Sequence, residues 1–118
     1  MIGFAAGAIC YWACTKLKTK LGYDDSLDVF GVHGIGGATG TILAGVFAVA
    51  AVGETSGLIE GNGSQVVAQL YGVAATLIWS GVATFVLLKV IGFLQPLRVR
   101  EEDERVGLDL SLHGEALQ

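Results

Sequence analysis

Polar positions in this chain are grouped rather than interspersed. No charged side chain occurs from Met1 to Thr15. Three lysines then alternate at Lys16, Lys18 and Lys20, and the polar stretch Gly22-Tyr23-Asp24-Asp25-Ser26-Leu27-Asp28 follows. From Val29 to Gly53 the only side chain able to carry charge is His33, and from Gly61 to Leu88 there is none. Each of these two later runs exceeds the ~18 residues that mark a membrane-helix candidate. Between them lies a polar, glycine-rich connection, Gly53 to Ser64. The pattern predicts an all-α membrane protein with three transmembrane helices, at about 1–20, 29–53 and 65–94. The third would be ~45 Å long at ~1.5 Å per residue. That is longer than a ~30 Å hydrocarbon core, so it should tilt or project. Pro96 marks its stop, which divides the chain into a transmembrane region, 1–97, and a tail, 98–118. In the tail, Arg98 to Arg105 reads as a solvated charge run.

Composition supports the membrane reading. The 118 residues are 53% hydrophobic and 15% charged, with 18 glycines and one proline; a soluble domain carries about 25% charge. The net charge of −4 says less than its placement. Lys16, Lys18 and Lys20 follow the first segment, and Lys89, Arg98, Arg100 and Arg105 lie at or beyond the end of the third. The loop from Val52 to Ser64 holds Glu54 and Glu60 but no lysine or arginine. Three crossings put all seven positive residues toward one face, which the positive-inside rule makes cytoplasmic. The expectation is a multi-pass protein of the cell membrane with a cytoplasmic C-terminus. The first segment lacks a basic leader region and a cleavage site, so it reads as a membrane helix cut at or near its start.

Local signals fit this layout. Gly22 suits a C-terminal cap for the first helix. Asp25 with Asp28 resembles a capping box for the second, where carboxylates also meet the positive end of the helix dipole. Gly3-x-x-x-Gly7 permits close helix approach. Cys10 and Cys14 share a helix face. Without histidine or carboxylate partners they make a poor metal site, and they read as small buried apolar residues.

His33 is the candidate for chemistry. On an α-helix it shares a stripe with Gly36, Gly37 and Gly40, so either another helix packs there or a narrow path runs there. Ionisable residues inside a membrane mostly face a bundle interior or an aqueous cavity. A neutral imidazole offers one donor and one acceptor near neutral pH. It could pass a small hydrogen-bonding solute along, relay a proton, or simply pack. The glycines of His33-Gly34-Ile35-Gly36-Gly37 do not form a dinucleotide site, since no strand precedes them, and no serine elbow accompanies them. With His33 and His113 the only histidines, the residues argue against an enzyme, a metal centre or a cofactor.

Two motifs, in order, resemble one family. Asp24 to Gly37, "DDSLDVFGVHGIGG", is similar to the tenth membrane helix of the ammonium transporters (Amt/Mep/Rh), and Gly107 to Glu115, "GLDLSLHGE", resembles their cytoplasmic C-terminal motif. "IWSGV", Ile78 to Val82, fits their last helix. The resemblance covers essentially the whole chain, but only the last three of the family's eleven membrane helices. It implies a homotrimer in which each subunit has a narrow pore carrying ammonia past two stacked histidines. His33 matches the second of these. Val29 lies where the lower pore narrows, and Asp25 and Asp28 match acids at the cytoplasmic start of that helix. Gly107, Asp109, His113 and Gly114 match the tail that couples subunits. Ser111 falls where plant relatives carry a phosphorylated threonine, and a PII-class signal protein is a partner at the cytoplasmic face of bacterial relatives. The family's first pore histidine, phenylalanine gate and recruitment site belong to helices that this chain lacks. The expectation is therefore a pore-contributing piece that does not transport alone. The alternative is a non-transporting membrane module, or truncated gene product, whose glycine faces bind partner helices.

Overall fold

The computed structural model describes residues 1–115; residues 116–118, the end of the expected tail, lie outside the described residues. Every regular element among the described residues is helical. The chain divides into two compact units, Met1–Leu77 and Ile78–Gln118, with the boundary inside one long helix.

In the first unit, helix α1, Ile2–Trp12, continues through a π-wound stretch, Ala13–Leu17, into α2, Lys18–Leu21. Gly22 stops it in the left-handed region (φ 64°), and its N–H donates to Lys18 O at 2.8 Å. A β-carbon makes that conformation costly, so glycine ends the helix cleanly. The next helix begins with another π-wound stretch, Phe30–Ile35, and continues as α3, Gly36–Phe47.

The sequence predicts one helix over 29–53, but the structure breaks it. Ala48 and Val49 are extended (ψ 137° and 124°), and only a short helix, α4, Ala50–Gly53, follows. No proline or glycine stands at the break. The returning loop supplies the cause: Gly57 N–H donates to Ala48 O at 2.8 Å, and the Glu60 carboxylate accepts the Ala50 N–H at 2.8 Å. These bonds satisfy backbone groups that a continuous helix would have paired internally. The loop itself carries a 3₁₀ turn, Leu58–Glu60.

Helix α5, Gly63–Leu94, matches the expected 65–94 closely. Two helices, Phe30–Phe47 and Gly63–Leu94, are long and apolar enough to cross a membrane, whereas the first helical stretch, 2–21, is not among them. Its last turns carry three lysines.

Among the described residues only Ala13, Gly31, Gly45 and Gly57 are buried. All are small, and the three glycines mark close approaches of neighbouring segments, not a soluble-type core. Large apolar side chains face outward, including Phe4, Trp79 and Phe93. Apolar exposure on this scale needs lipid or further protein to cover it.

In the second unit, the expected charge run is ordered. Glu101–Val106 forms α6, with four acids in its first turn, where the helix dipole favours them. Arg98 pairs with Glu104 at 3.0 Å, Arg100 with Asp103 at 3.0 Å and Arg105 with Glu101 at 2.6 Å.

Candidate functional site

The site is built where the first helix meets the start of the second. Asp25 lies just ahead of the second helix. Its Oδ1 accepts the Val29 N–H and its Oδ2 the Phe30 N–H, both at 2.9 Å. One carboxylate thus satisfies two of the donors that a helix start leaves unpaired. Asp28 meets the Asp25 backbone through its own N–H, which donates to Asp25 O at 3.2 Å, and not through its carboxylate as in a capping box. It adopts φ 56°, and its carboxylate takes Lys18 Nζ at 2.8 Å, joining the two helices. The two acids therefore have different tasks, one along the chain and one across it. Lys18 is a residue the sequence reading passed over, because a headgroup lysine and an ion-pair lysine look alike in one dimension.

Tyr23 packs edge-on to Phe30, ring centroids 5.6 Å apart, and its shielded hydroxyl has no hydrogen-bond partner among the described residues. Burial, and then the nearby Asp25 charge, hold the phenol proton above the usual tyrosine range. At neutral pH Tyr23 is therefore a neutral donor.

His33 sits within the π-wound stretch, not on a plain α-helix. There the main-chain bonds run from i+5 back to i, so of the glycines placed on the His33 stripe Gly36 is free to turn away. Gly31 and Gly36, five apart, face the first helix instead. A β-carbon on Gly31 would stand 2.5 Å from Cys14 Sγ, and one on Gly36 would stand 2.5 Å from Cys10 Sγ. His33, about half a turn from Gly31, is exposed, as are Val32 and Gly37. A β-carbon on Gly37 or Gly40 would meet nothing within 4 Å, and the same holds at Gly3 and Gly7. Val29 is 51% exposed. The helix thus has a face closed by sulfur and an open face that carries the imidazole.

The tail residues lie in the other unit. Gly107 (φ 99°) ends α6, and a π-wound turn, Asp109–His113, ends at Gly114 (φ 68°). Ser111 N–H donates to Gly107 O at 2.9 Å, and its hydroxyl lies 3.4 Å from Asp103 O. Among the described residues no group of three or more histidine, cysteine or acidic side chains could hold a metal.

Comparison with known proteins places the chain in a family. Residues 1–117 match the model of the Ammonium Transporter Family. The chain is 45% identical over 117 residues to an ammonium transporter of Bacillus subtilis, covering 98% of this chain and 29% of the relative. It is 49% identical over 114 residues to one from Aquifex aeolicus, covering 97% and 27%. With the ammonium transporter Amt1 of Archaeoglobus fulgidus it shares 40% over 116 residues, covering 98% and 29%. The chain spans less than a third of the length of these relatives. Their family is one of membrane transporters, and among the described residues every regular element of this chain is helical, with two helices long and apolar enough to span a membrane. The chain belongs to the ammonium transporter family.

Proposed function

We propose that this chain is the C-terminal part of an ammonium transporter and supplies His33 to the path of ammonium or ammonia. The observation that carries the reading is the open face of the second helix. On a helix apolar enough to cross a membrane, an exposed imidazole stands beside glycines with nothing next to them. An imidazole in that setting donates and accepts one hydrogen bond each, which suits passage of a small hydrogen-bonding solute. Val29 lines the same path. Asp25 and Asp28 hold the cytoplasmic entrance in shape, one by capping the helix and one by pairing with Lys18.

The remaining roles follow from this reading. Three helices cannot enclose a pore, so the path is completed by further helices of the transporter, assembled as a homotrimer. Residues 1–97 form the membrane part, with the positive residues cytoplasmic. Residues 98–118 form a cytoplasmic tail in which Gly107, Asp109, Ser111, His113 and Gly114 couple subunits, with a PII-class signal protein as partner on that face. A phosphoryl group on Ser111 would add about −1.5 to −2 charge and undock the tail.

The test replaces the matching segment of the Bacillus subtilis transporter with this chain and measures ammonium and methylammonium uptake in cells lacking their own transporters. The chimera should transport, and His33→Ala should change the rate or the selectivity by about tenfold or more. A membrane-inserted chimera that does not transport, or a His33→Ala chimera with unchanged rate and selectivity, rejects the reading. A non-transporting helix-binding module would give the first of these results.

A further inference from the structure

Two thiols on the first helix and two glycines on the second meet in a way that bears on His33. Cys10 and Cys14 are four residues apart, and Gly31 and Gly36 are five apart. At ~1.5 Å per residue those spacings are ~6 Å and ~7.5 Å, so two plain α-helices would not keep both pairs in step. The π-wound stretch Phe30–Ile35 brings i and i+5 onto one face, and both glycines then meet sulfur. Each sulfur occupies the space a β-carbon would need, at 2.5 Å in both cases. Each also lies near a main-chain carbonyl at or just ahead of that turn, Cys10 Sγ at 3.7 Å from Val32 O and Cys14 Sγ at 4.0 Å from Asp28 O. A thiol is a weak donor, so the contact is chiefly steric. One such seat would let the second helix roll about the contact, whereas two fix both its rotation and its height. His33 lies between the seats in sequence and on the opposite side of the turn.

We infer that Cys10 and Cys14 are positioning residues: their sulfurs, seated on Gly36 and Gly31, set the rotation of the π-wound turn and so the placement of the His33 imidazole. The inference rests on His33 lying in the transport path, as proposed above.

The experiment uses the same chimera and reads maximal uptake rate and half-saturation for methylammonium, ammonium-to-methylammonium selectivity, and protein level in the membrane. Gly36→Ala should lower the maximal rate about tenfold or more with half-saturation unchanged, because only the imidazole's placement is disturbed. Adding Cys10→Ala should restore most of the rate, since that sulfur is the one atom crowding the site. Gly31→Ala should be rescued only in part by Cys14→Ala, because Cys14 N and Cα would remain 3.3 and 3.5 Å from the new carbon. Should Gly36→Ala fail to reach the membrane, Cys10→Ala alone is decisive: it should shift selectivity at normal protein level, and unchanged selectivity overturns the inference. Normal transport by Gly36→Ala, or a loss that Cys10→Ala does not restore, also overturns it. A His33→Ala chimera with unaltered uptake and selectivity would reject the pore reading itself. An altered His33→Ala chimera beside an inert Gly36→Ala would reject only the positioning role.

Discussion

The helix from Phe30 to Phe47 and the helix from Gly63 to Leu94 are both apolar enough to span a membrane, yet they are built on different rules. The first is short, begins in a π-wound stretch, is capped by an acid, is pinned by a lysine, meets sulfur at two glycines, and breaks at Ala48 and Val49. The second runs unbroken for 32 residues and has no buried residue. Its glycines differ accordingly. In the shorter helix Gly31, Gly36 and Gly45 are crowded and Gly37 and Gly40 are open, whereas in the long helix Gly72 and Gly81 are open and Gly92 meets only the Leu97 side chain, at 3.3 Å. The contrast shows that a membrane helix needs little beyond hydropathy to exist and needs specific neighbours only where it must hold a group in place.

Substitutions should rank by how much local packing they disturb, with thermal unfolding of the detergent-solubilised chain followed by circular dichroism as the measurement. Gly57→Ala should cost most, about 3 kcal/mol, because its β-carbon would stand 2.8 Å from three backbone atoms, Ala48 N, Gly45 O and Val46 O, none of which can swing aside. A change within ~0.5 kcal/mol, the range of an ordinary surface substitution, would mean the loop does not hold the break. Asp25→Ala should cost about 1–2 kcal/mol by unpairing two helix-start donors, and Asp25→Asn should recover part of that; equal losses for both would deny the capping role. Lys18→Ala should cost under ~1 kcal/mol, as befits a partly exposed ion pair, and the difference should shrink with added salt. In the long helix the sign should reverse. Gly72→Ala should be neutral or stabilising by up to ~1 kcal/mol, since alanine favours a helix over glycine. A large loss there would erase the contrast between the two helices.

Legibility followed the same divide. Helix α5 was readable within two residues at its start and at its observed end, Leu94, because an uncharged run of that length has few other options. Gly22 as a stop and Asp25 at a helix start were also readable, since caps act over three or four neighbouring residues. The break at Ala48 was not, because its cause sits nine residues on at Gly57 and ten residues past Ala50 at Glu60. Nor was the π-wound turn at His33, beside which Gly31 and Gly36 meet the sulfurs of the first helix. Tyr23 showed no sign in the sequence of the shielded hydroxyl that folding gives it.

Hydropathy, charge placement and two motifs, read along the chain, were sufficient for an all-helical membrane protein of the ammonium transporter family. Those properties add up residue by residue and need no knowledge of what touches what. Which glycines are seats and which are open, which acid caps and which reaches across to Lys18, and which way His33 faces came only from the fold. Each depends on the distance between residues far apart in sequence. A glycine records that a side chain is absent, and only the packed neighbour shows what fills its place.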